Sequence, residues 1–151
     1  SVLKVLTNFL ASVHLASLGE ALMTAKKAGM DLNTTYEAIR ISSGNSFVHE
    51  TESQVILNGS RDINFTMDLV VKDVGIFQEI ADRNQVPLEI SPLLLGIYKD
   101  GQKRYGDREW SPNIVRRLEE RCGEKLLAPG FPSEIEDDEP EVAGEEVKVR
   151  K

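Results

Sequence analysis

The residue types that most often perform chemistry in proteins are few in this sequence, and their spacing is unfavourable. His14 and His49 lie far apart, and the segment His49–Ser53 lacks the second histidine of a zinc-protease helix, so no metal site is expected. Cys122, the sole cysteine, has no candidate base at a recognised spacing and is expected to be an inert thiol. No two of the 11 glycines form a G-x-G pattern, so a glycine-rich phosphate loop is excluded.

Two lysines stand out by their position on predicted helices. Lys4 and Asn8 are four residues apart, and they extend an apolar stripe of the first helix toward its N-terminus. If they have no functional role, Lys4 and Asn8 belong to a frayed helix start in water. Lys72 lies on the polar side of another helix, and without a functional role it would form an exposed pair with Asp68, worth only a few tenths of a kcal/mol.

The elements that must position these residues are predicted to be helices throughout residues 1–127, because sustained period-2 alternation is missing. Six segments follow from capping residues, glycines and prolines. They run from Ser1 to Ala28 before Gly29, from Thr34 to Gly44, from near Ser46 to Asn58, from near Phe65 to Arg83, from Ser91, and from Ser111 after a loop over 107–110. The predicted fold is therefore all-α, a bundle of about six helices built on a long N-terminal helix.

The first predicted helix carries apolar residues on two nearly opposite sides. One stripe contains Val2, Leu6, Phe9 and Val13, and the other contains Ala11, Leu15, Leu18, Leu22 and Ala25. A helix of this kind lies at the centre of a bundle or contacts two separate bodies.

Charge and composition limit the possible classes of protein. The 151 residues carry a net charge of −7, which argues against binding nucleic acid or an anionic membrane. Residues 128–151 hold eight acids and three bases, so a disordered acidic tail is expected after a first domain at 1–127. The sequence has no run of 18 apolar residues, and its first residues lack the basic region and cleavage site of a signal peptide. Neither membrane insertion nor secretion is therefore expected. The single cysteine fits a reducing compartment such as the cytoplasm.

Three segments, in this order, resemble the β-hydroxyacid dehydrogenase family. Lys4-Val5-Leu6-Thr7-Asn8 is similar to the K-x-x-N-N helix of that family, and Ser42-Ser43-Gly44 stands where the family often has such a triplet. The segment from Phe65 through Leu69 to Lys72-Asp73-Val74 is similar to its F-x-x-x-L-x-x-K-D-L motif. The family includes 3-hydroxyisobutyrate dehydrogenase, tartronate semialdehyde reductase and, more distantly, 6-phosphogluconate dehydrogenase. Together the matches span most of residues 1–120.

The resemblance implies the second part of a two-domain enzyme. In the family a Rossmann domain binds NAD or NADP, and an all-α domain completes the active site and makes most subunit contacts. By this resemblance Lys4 is the catalytic base, Asn8 orients the substrate, and Lys72 and Phe65 face the nicotinamide end of the cofactor. The substrate is then a small 3-hydroxy acid, the missing Rossmann domain is a partner, and the assembly is a dimer or tetramer.

Two other functions stay open at this point. The chain is alternatively a catalytically silent oligomerisation or interaction module derived from the same fold, or a relative that acts on a larger sugar acid. By the resemblance, the determinants of the hydroxy acid, and of NAD or NADP, lie mainly in the missing domain.

Overall fold

The computed structural model describes residues 1–135, and they form a helical bundle with no β-strand among them. The α-helices are α1 (Val2–Lys27), α2 (Leu32–Arg40), α3 (Phe47–Asn58), α4 (Met67–Arg83), α5 (Ile90–Tyr105) and α6 (Arg116–Cys122), with a 3₁₀ helix at Ser111–Val115 directly before α6. A single β-bridge joins Thr66 to Trp110. The all-α fold with a long first helix is confirmed.

Helix α1 is the axis of the bundle and contacts each of the other helices. The Ser1 hydroxyl caps it by accepting from the Lys4 amide at 3.3 Å, and Gly29 ends it with a φ of +83°. In its second predicted stripe Leu15, Leu18, Leu22 and Ala25 are buried and Ala11 is half-buried. In the first stripe Val2 and Leu6 are exposed, whereas Phe9 and Val13 are half-buried against the core, so residues 1–135 cover the face of the first stripe only in part.

By length and composition α1 would be able to cross a membrane, because an 18-residue window has a mean hydropathy of 1.4. A core helix of a helical bundle passes the same test. Within the described residues 22% of that window is buried, so much of this apolar helix is left exposed by the chain itself.

Two helix starts differ from the prediction. The residue that caps α2 is Asp31, whose carboxylate accepts from the Thr34 amide at 2.9 Å, so the helix begins before the predicted capping box. Helix α5 begins after Glu89, which places Ser91 and Pro92 inside the first turn. Proline is tolerated there because amides of the first turn need no helical partner.

Two glycines allow the 3₁₀ helix to lie close to α1 and α5. A Cβ at Gly101 would lie 2.6 Å from Ile114 Cδ1, and one at Gly19 would lie 3.0 Å from Val115 Cγ1. A larger residue at either position would press on these two side chains, so the 3₁₀ helix packs its Ile114 and Val115 side chains against glycine on α5 and α1.

The start of the predicted tail is docked on the bundle. The Phe131 ring meets Tyr36 edge to face at 5.2 Å, and the Phe131 carbonyl accepts from Asn58 Nδ2 at 2.8 Å. Ser60 Oγ donates to the Ser133 carbonyl. Residues 128–133 thus pack on α2 and α3, and the predicted disorder of 136–151 lies outside the described residues.

Candidate active site between helices α1 and α4

Helices α1 and α4 are joined near the N-terminus of the chain by two side-chain contacts. Half-buried Asn8 donates from Nδ2 to Asp73 Oδ2 at 2.8 Å. Next to it, the rings of Phe9 and Phe77 stack with centroids 4.0 Å apart and planes 14° from parallel. These contacts place the two lysine-bearing motifs side by side, since Asp73 directly follows Lys72.

Lys4 lies on the first turn of α1, one turn before Asn8, and it is exposed. Thr7 occupies the first asparagine position of the K-x-x-N-N motif, and its hydroxyl donates to the Lys4 carbonyl at 2.9 Å. Thr7 therefore has its hydroxyl bound to the helix backbone, while Asn8 is the amide of this motif that faces α4.

The Lys72 side chain is exposed on α4. The predicted alternative, an ion pair with Asp68, is wrong, because Asp68 accepts from Arg108 at 3.2 Å and from the Thr66 hydroxyl. Both contacts lower the pKa of the Asp68 carboxyl. Lys72 forms no ion pair with any residue of 1–135.

A cavity of about 180 Å³ opens beside the Asn8 amide. Its lining consists of Asn8, Ala11, Ser12, Leu15, Glu52, Phe65, Val70 and Ser111. The structure thus brings together Asn8 and Phe65, which are far apart in sequence. Lys4 and Lys72 do not line the cavity.

Phe65 is held at the cavity by the backbone before α4. Its carbonyl accepts from the Ser111 amide at 2.8 Å, next to the Thr66–Trp110 bridge. The fourth helix was predicted to start near Phe65, and it starts at Met67. The backbone at Phe65 is therefore tied to the segment before the 3₁₀ helix.

Glu52 is a candidate functional residue that the sequence analysis missed. Burial raises the pKa of its carboxyl to about 7, and its Oε2 atom has no hydrogen-bond partner. The Tyr98 hydroxyl is also buried without a partner in the described chain, and burial, together with the charge of Glu52, raises its pKa. A signal existed in the sequence, because Glu52 interrupts the stripe formed by Val48, Val55 and Ile56 on α3.

The histidines do not form a metal site with other residues of the described chain. His49 Nε2 bonds the Tyr36 carbonyl at 2.9 Å, and His49 Nδ1 bonds Ser53 Oγ at 2.8 Å. A neutral ring satisfies both contacts, with Nε2 as the donor and Nδ1 as the acceptor. Burial lowers the pKa of His49 accordingly. Residues 1–135 contain no group of three His, Cys, Asp or Glu side chains that suits a metal ion.

The triplet Ser42–Gly44 lies away from the Asn8 cavity. Ser42 Oγ donates to the Ile39 carbonyl at 2.8 Å and accepts from the Gly44 amide at 3.1 Å, which forms a turn after α2. Ser43 and Gly44 line a second cavity of about 400 Å³ together with His14 and His49. The Ser42–Gly44 segment therefore does not line the cavity beside Asn8.

Residues 1–118 match the family described as "NAD-binding of NADP-dependent 3-hydroxyisobutyrate dehydrogenase". The chain belongs to this family. The match covers all four residues assigned to the predicted site: Lys4, Asn8, Phe65 and Lys72.

Relatives of this dehydrogenase family are similar in sequence and in fold. The chain is 31% identical over 121 residues to 2-(hydroxymethyl)glutarate dehydrogenase of Eubacterium barkeri, which covers 80% of this chain and 40% of the relative. It is 29% identical over 115 residues to L-threonate dehydrogenase of Escherichia coli K12, covering 76% and 38%. The chain therefore spans about two fifths of the length of these curated relatives.

Solved structures agree with this assignment. Crystalline 3-hydroxyisobutyrate dehydrogenase from Salmonella typhimurium superposes with a TM-score of 0.67 at 27% identity, covering 78% of this chain and 41% of the other. The Mycobacterium tuberculosis 3-hydroxyisobutyrate dehydrogenase solved with L-serine gives a TM-score of 0.68 at 20% identity, covering 76% and 42%. The second likeness supports the fold.

Proposed function

We propose that this chain is the C-terminal all-α domain of an NAD(P)-dependent oxidoreductase that acts on a small 3-hydroxy acid. The observation that carries the proposal is the hydrogen bond from Asn8 to Asp73, because it joins the two motifs of the resemblance beside a cavity. Family membership and the names of the relatives support the reaction class.

Asn8 is suited to orient a substrate hydroxyl. An ionised carboxylate only accepts hydrogen bonds, so Asp73 turns the amide nitrogen of Asn8 toward itself. The Asn8 Oδ1 atom is then left to accept a hydrogen bond from the substrate hydroxyl. Asn8 thus holds the substrate without adding a charge, and Asp73 acts as a positioning residue.

Lys4, one turn away, is the proposed base that takes the hydroxyl proton during oxidation and returns it during reduction. A lysine does this near neutral pH only where burial lowers its pKa. Lys4 is exposed in residues 1–135, so the proposal requires a second domain to cover it. A Rossmann domain next to the N-terminus of α1 would provide that cover.

Lys72 and Phe65 are the residues proposed to hold the nicotinamide end of NAD or NADP, whose chemistry is to accept the hydride. The fit is partial. Lys72 is an exposed cation without an ion pair in the described chain, and Phe65 lines the cavity. The sequence has no G-x-G loop for the pyrophosphate, so the proposed Rossmann domain must bind that part.

The exposed apolar surface at the start of α1 supports further contacts. Val2, Leu3 and Leu10 are more than half exposed, and a monomer rarely leaves such a patch uncovered. We propose that the Rossmann domain and a second copy cover the exposed apolar surface of residues 1–127, giving a dimer or tetramer. The proposed setting is a reducing compartment such as the cytoplasm, without nucleic-acid or membrane partners.

The test is turnover by the full-length protein. Short 3-hydroxy acids are assayed with NAD and with NADP, while light scattering measures the mass of the assembly. The proposal predicts reduction of one cofactor by at least one acid and a mass above that of a monomer. An assembly that oxidises none of these acids would favour the silent oligomerisation module instead.

A further inference from the structure

Glu52 occupies a position on α3 where the fold calls for an apolar residue. It lies one turn from Val48 and one turn from Val55 and Ile56, all of which are buried. A leucine at this position would complete the stripe and exclude water. Glu50, two residues earlier, is by contrast an exposed carboxylate of the usual kind.

No protein group compensates the buried carboxyl of Glu52. Its Oε2 atom is buried and has no hydrogen-bond partner in the described chain. A buried polar atom without a partner is unfavourable and uncommon in native structures, and each case calls for an explanation. Glu52 lines the adjoining cavity, and rotation of its carboxyl group about the last side-chain bond exchanges the two oxygens, so a ligand in the cavity would provide a hydrogen-bond donor to this carboxyl.

The cavity next to Glu52 has the size and chemistry for one small substituent. Its volume of about 180 Å³ has room for a substituent of a few heavy atoms, since an apolar cavity of about 150 Å³ in another protein binds benzene. Ser12 and Ser111 add hydroxyl groups, while Leu15 and Val70 form apolar walls. No lysine, arginine or histidine lines the cavity, so a second carboxylate on the ligand would meet Glu52 without a compensating charge.

We infer that Glu52 is a specificity-determining residue. It selects substrates that carry a hydrogen-bond donor, a hydroxyl or an ammonium group, on carbon 2, whose substituent enters the cavity beside Asn8. The inference rests on the proposed function for the reaction, but it adds a contact that the family motifs do not contain. The substrate class becomes a small 3-hydroxy acid with a second hydroxyl or an amino group. Acids with a methyl group or a second carboxylate at that carbon are disfavoured.

Four acids with the same carboxylate and 3-hydroxyl test this, because they differ at carbon 2 alone. 3-Hydroxypropionate carries hydrogen there, 3-hydroxyisobutyrate a methyl group, glycerate a hydroxyl and serine an ammonium group. Calorimetry on the full-length protein at about pH 8, above the pKa of about 7 of the Glu52 carboxyl, measures Kd for each acid, and kcat/KM is measured separately at the same pH. We expect glycerate and serine to bind at least about tenfold more tightly than 3-hydroxyisobutyrate, as for a hydrogen bond to a charged group.

Two substitutions at Glu52 separate the contributions of shape and charge. Glu52→Leu should reverse the preference in favour of 3-hydroxyisobutyrate, and Glu52→Gln should keep the preference for glycerate while losing that for serine. Glu50→Gln, the same substitution at an exposed position of α3, should match the parent. Circular dichroism verifies that each variant retains its helices.

The inference is overturned if the parent does not discriminate among the four acids, if none binds, or if Glu52→Leu leaves the ratios unchanged. Failure of the proposed function is a different result. Selective binding without oxidation of any acid would contradict the proposed reaction and leave the role of Glu52 intact. Oxidation without selectivity among the four acids would contradict the role of Glu52 and leave the proposed reaction intact.

Discussion

Asn8 on α1 and Asp73 on α4 are 65 residues apart in sequence and are joined by a hydrogen bond of 2.8 Å. The bond fixes the orientation of the Asn8 amide and links two motifs that the sequence shows separately. In the proposed site Asp73 therefore acts through Asn8, and no chemical step is assigned to it.

If the full-length protein is the proposed dehydrogenase, Asp73→Ala should lower its kcat, because the Asn8 amide would lose the acceptor that orients it. Unfolding by urea should show a loss of only about 1 kcal/mol, the usual contribution of one hydrogen bond. Asp73→Asn keeps an acceptor oxygen and should retain much of the activity. Equal loss of activity in both variants would contradict a positioning role.

Glu52 predicts a pH dependence of stability. Burial raises the pKa of its carboxyl from 4.5 to about 7 in the folded chain, so the folded state binds this proton more tightly than the unfolded state does. The stabilisation that the protonated Glu52 carboxyl gives the folded state is complete below 4.5, the pKa of this group in the unfolded chain, and it is lost as the pH rises through 7. The shift corresponds to about 3 kcal/mol.

Urea unfolding at a series of pH values measures this effect. Between about pH 5 and about pH 8, the unfolding free energy of the parent should fall by up to about 3 kcal/mol relative to Glu52→Gln. Glu50→Gln should follow the parent. Parallel curves for the parent and Glu52→Gln would show that Glu52 titrates normally.

Gly101 and Gly96 on α5 provide a matched pair for the packing of the 3₁₀ helix. Gly101→Ala places a Cβ 2.6 Å from Ile114 Cδ1 and should destabilise the fold by about 1 to 3 kcal/mol. Gly96→Ala meets nothing within 4 Å and should stabilise α5 by roughly 0.5 to 1 kcal/mol. The measurement is the melting temperature of each variant, and a shift of the same sign in both would refute this view of the contact.

Much of the fold could be predicted because local signals decide it. Ser46 and Gly59 bound α3 as expected, the first by capping the His49 amide and the second with a φ of +96°. The predicted start of α5 was wrong because Ser91 followed by proline resembles an N-cap in sequence. In the bundle Ser91 lies inside the helix and is buried. Tertiary packing decided that boundary.

The site was less accessible to sequence reasoning than the fold. The motif matches pointed to Asn8 and Phe65, but the cavity that both residues line depends on how α4 packs against α1. Glu52 resembles its exposed neighbour Glu50 in sequence, and only the packing of α3 distinguishes the two carboxyl groups. The docking of Phe131 on Tyr36 is likewise a long-range contact within a segment whose composition suggested disorder.

The most direct test of the account is the kcat of the full-length enzyme with Lys4→Ala, compared with Lys72→Ala and with Lys27→Ala, an exposed lysine at the far end of α1. Lys4→Ala should lower kcat by about 10²- to 10⁴-fold while the KM for the cofactor hardly changes. Lys72→Ala should raise that KM as well as lower kcat, and Lys27→Ala should match the parent. A Lys4→Ala variant with near-normal kcat would contradict the assignment of Lys4 as the base.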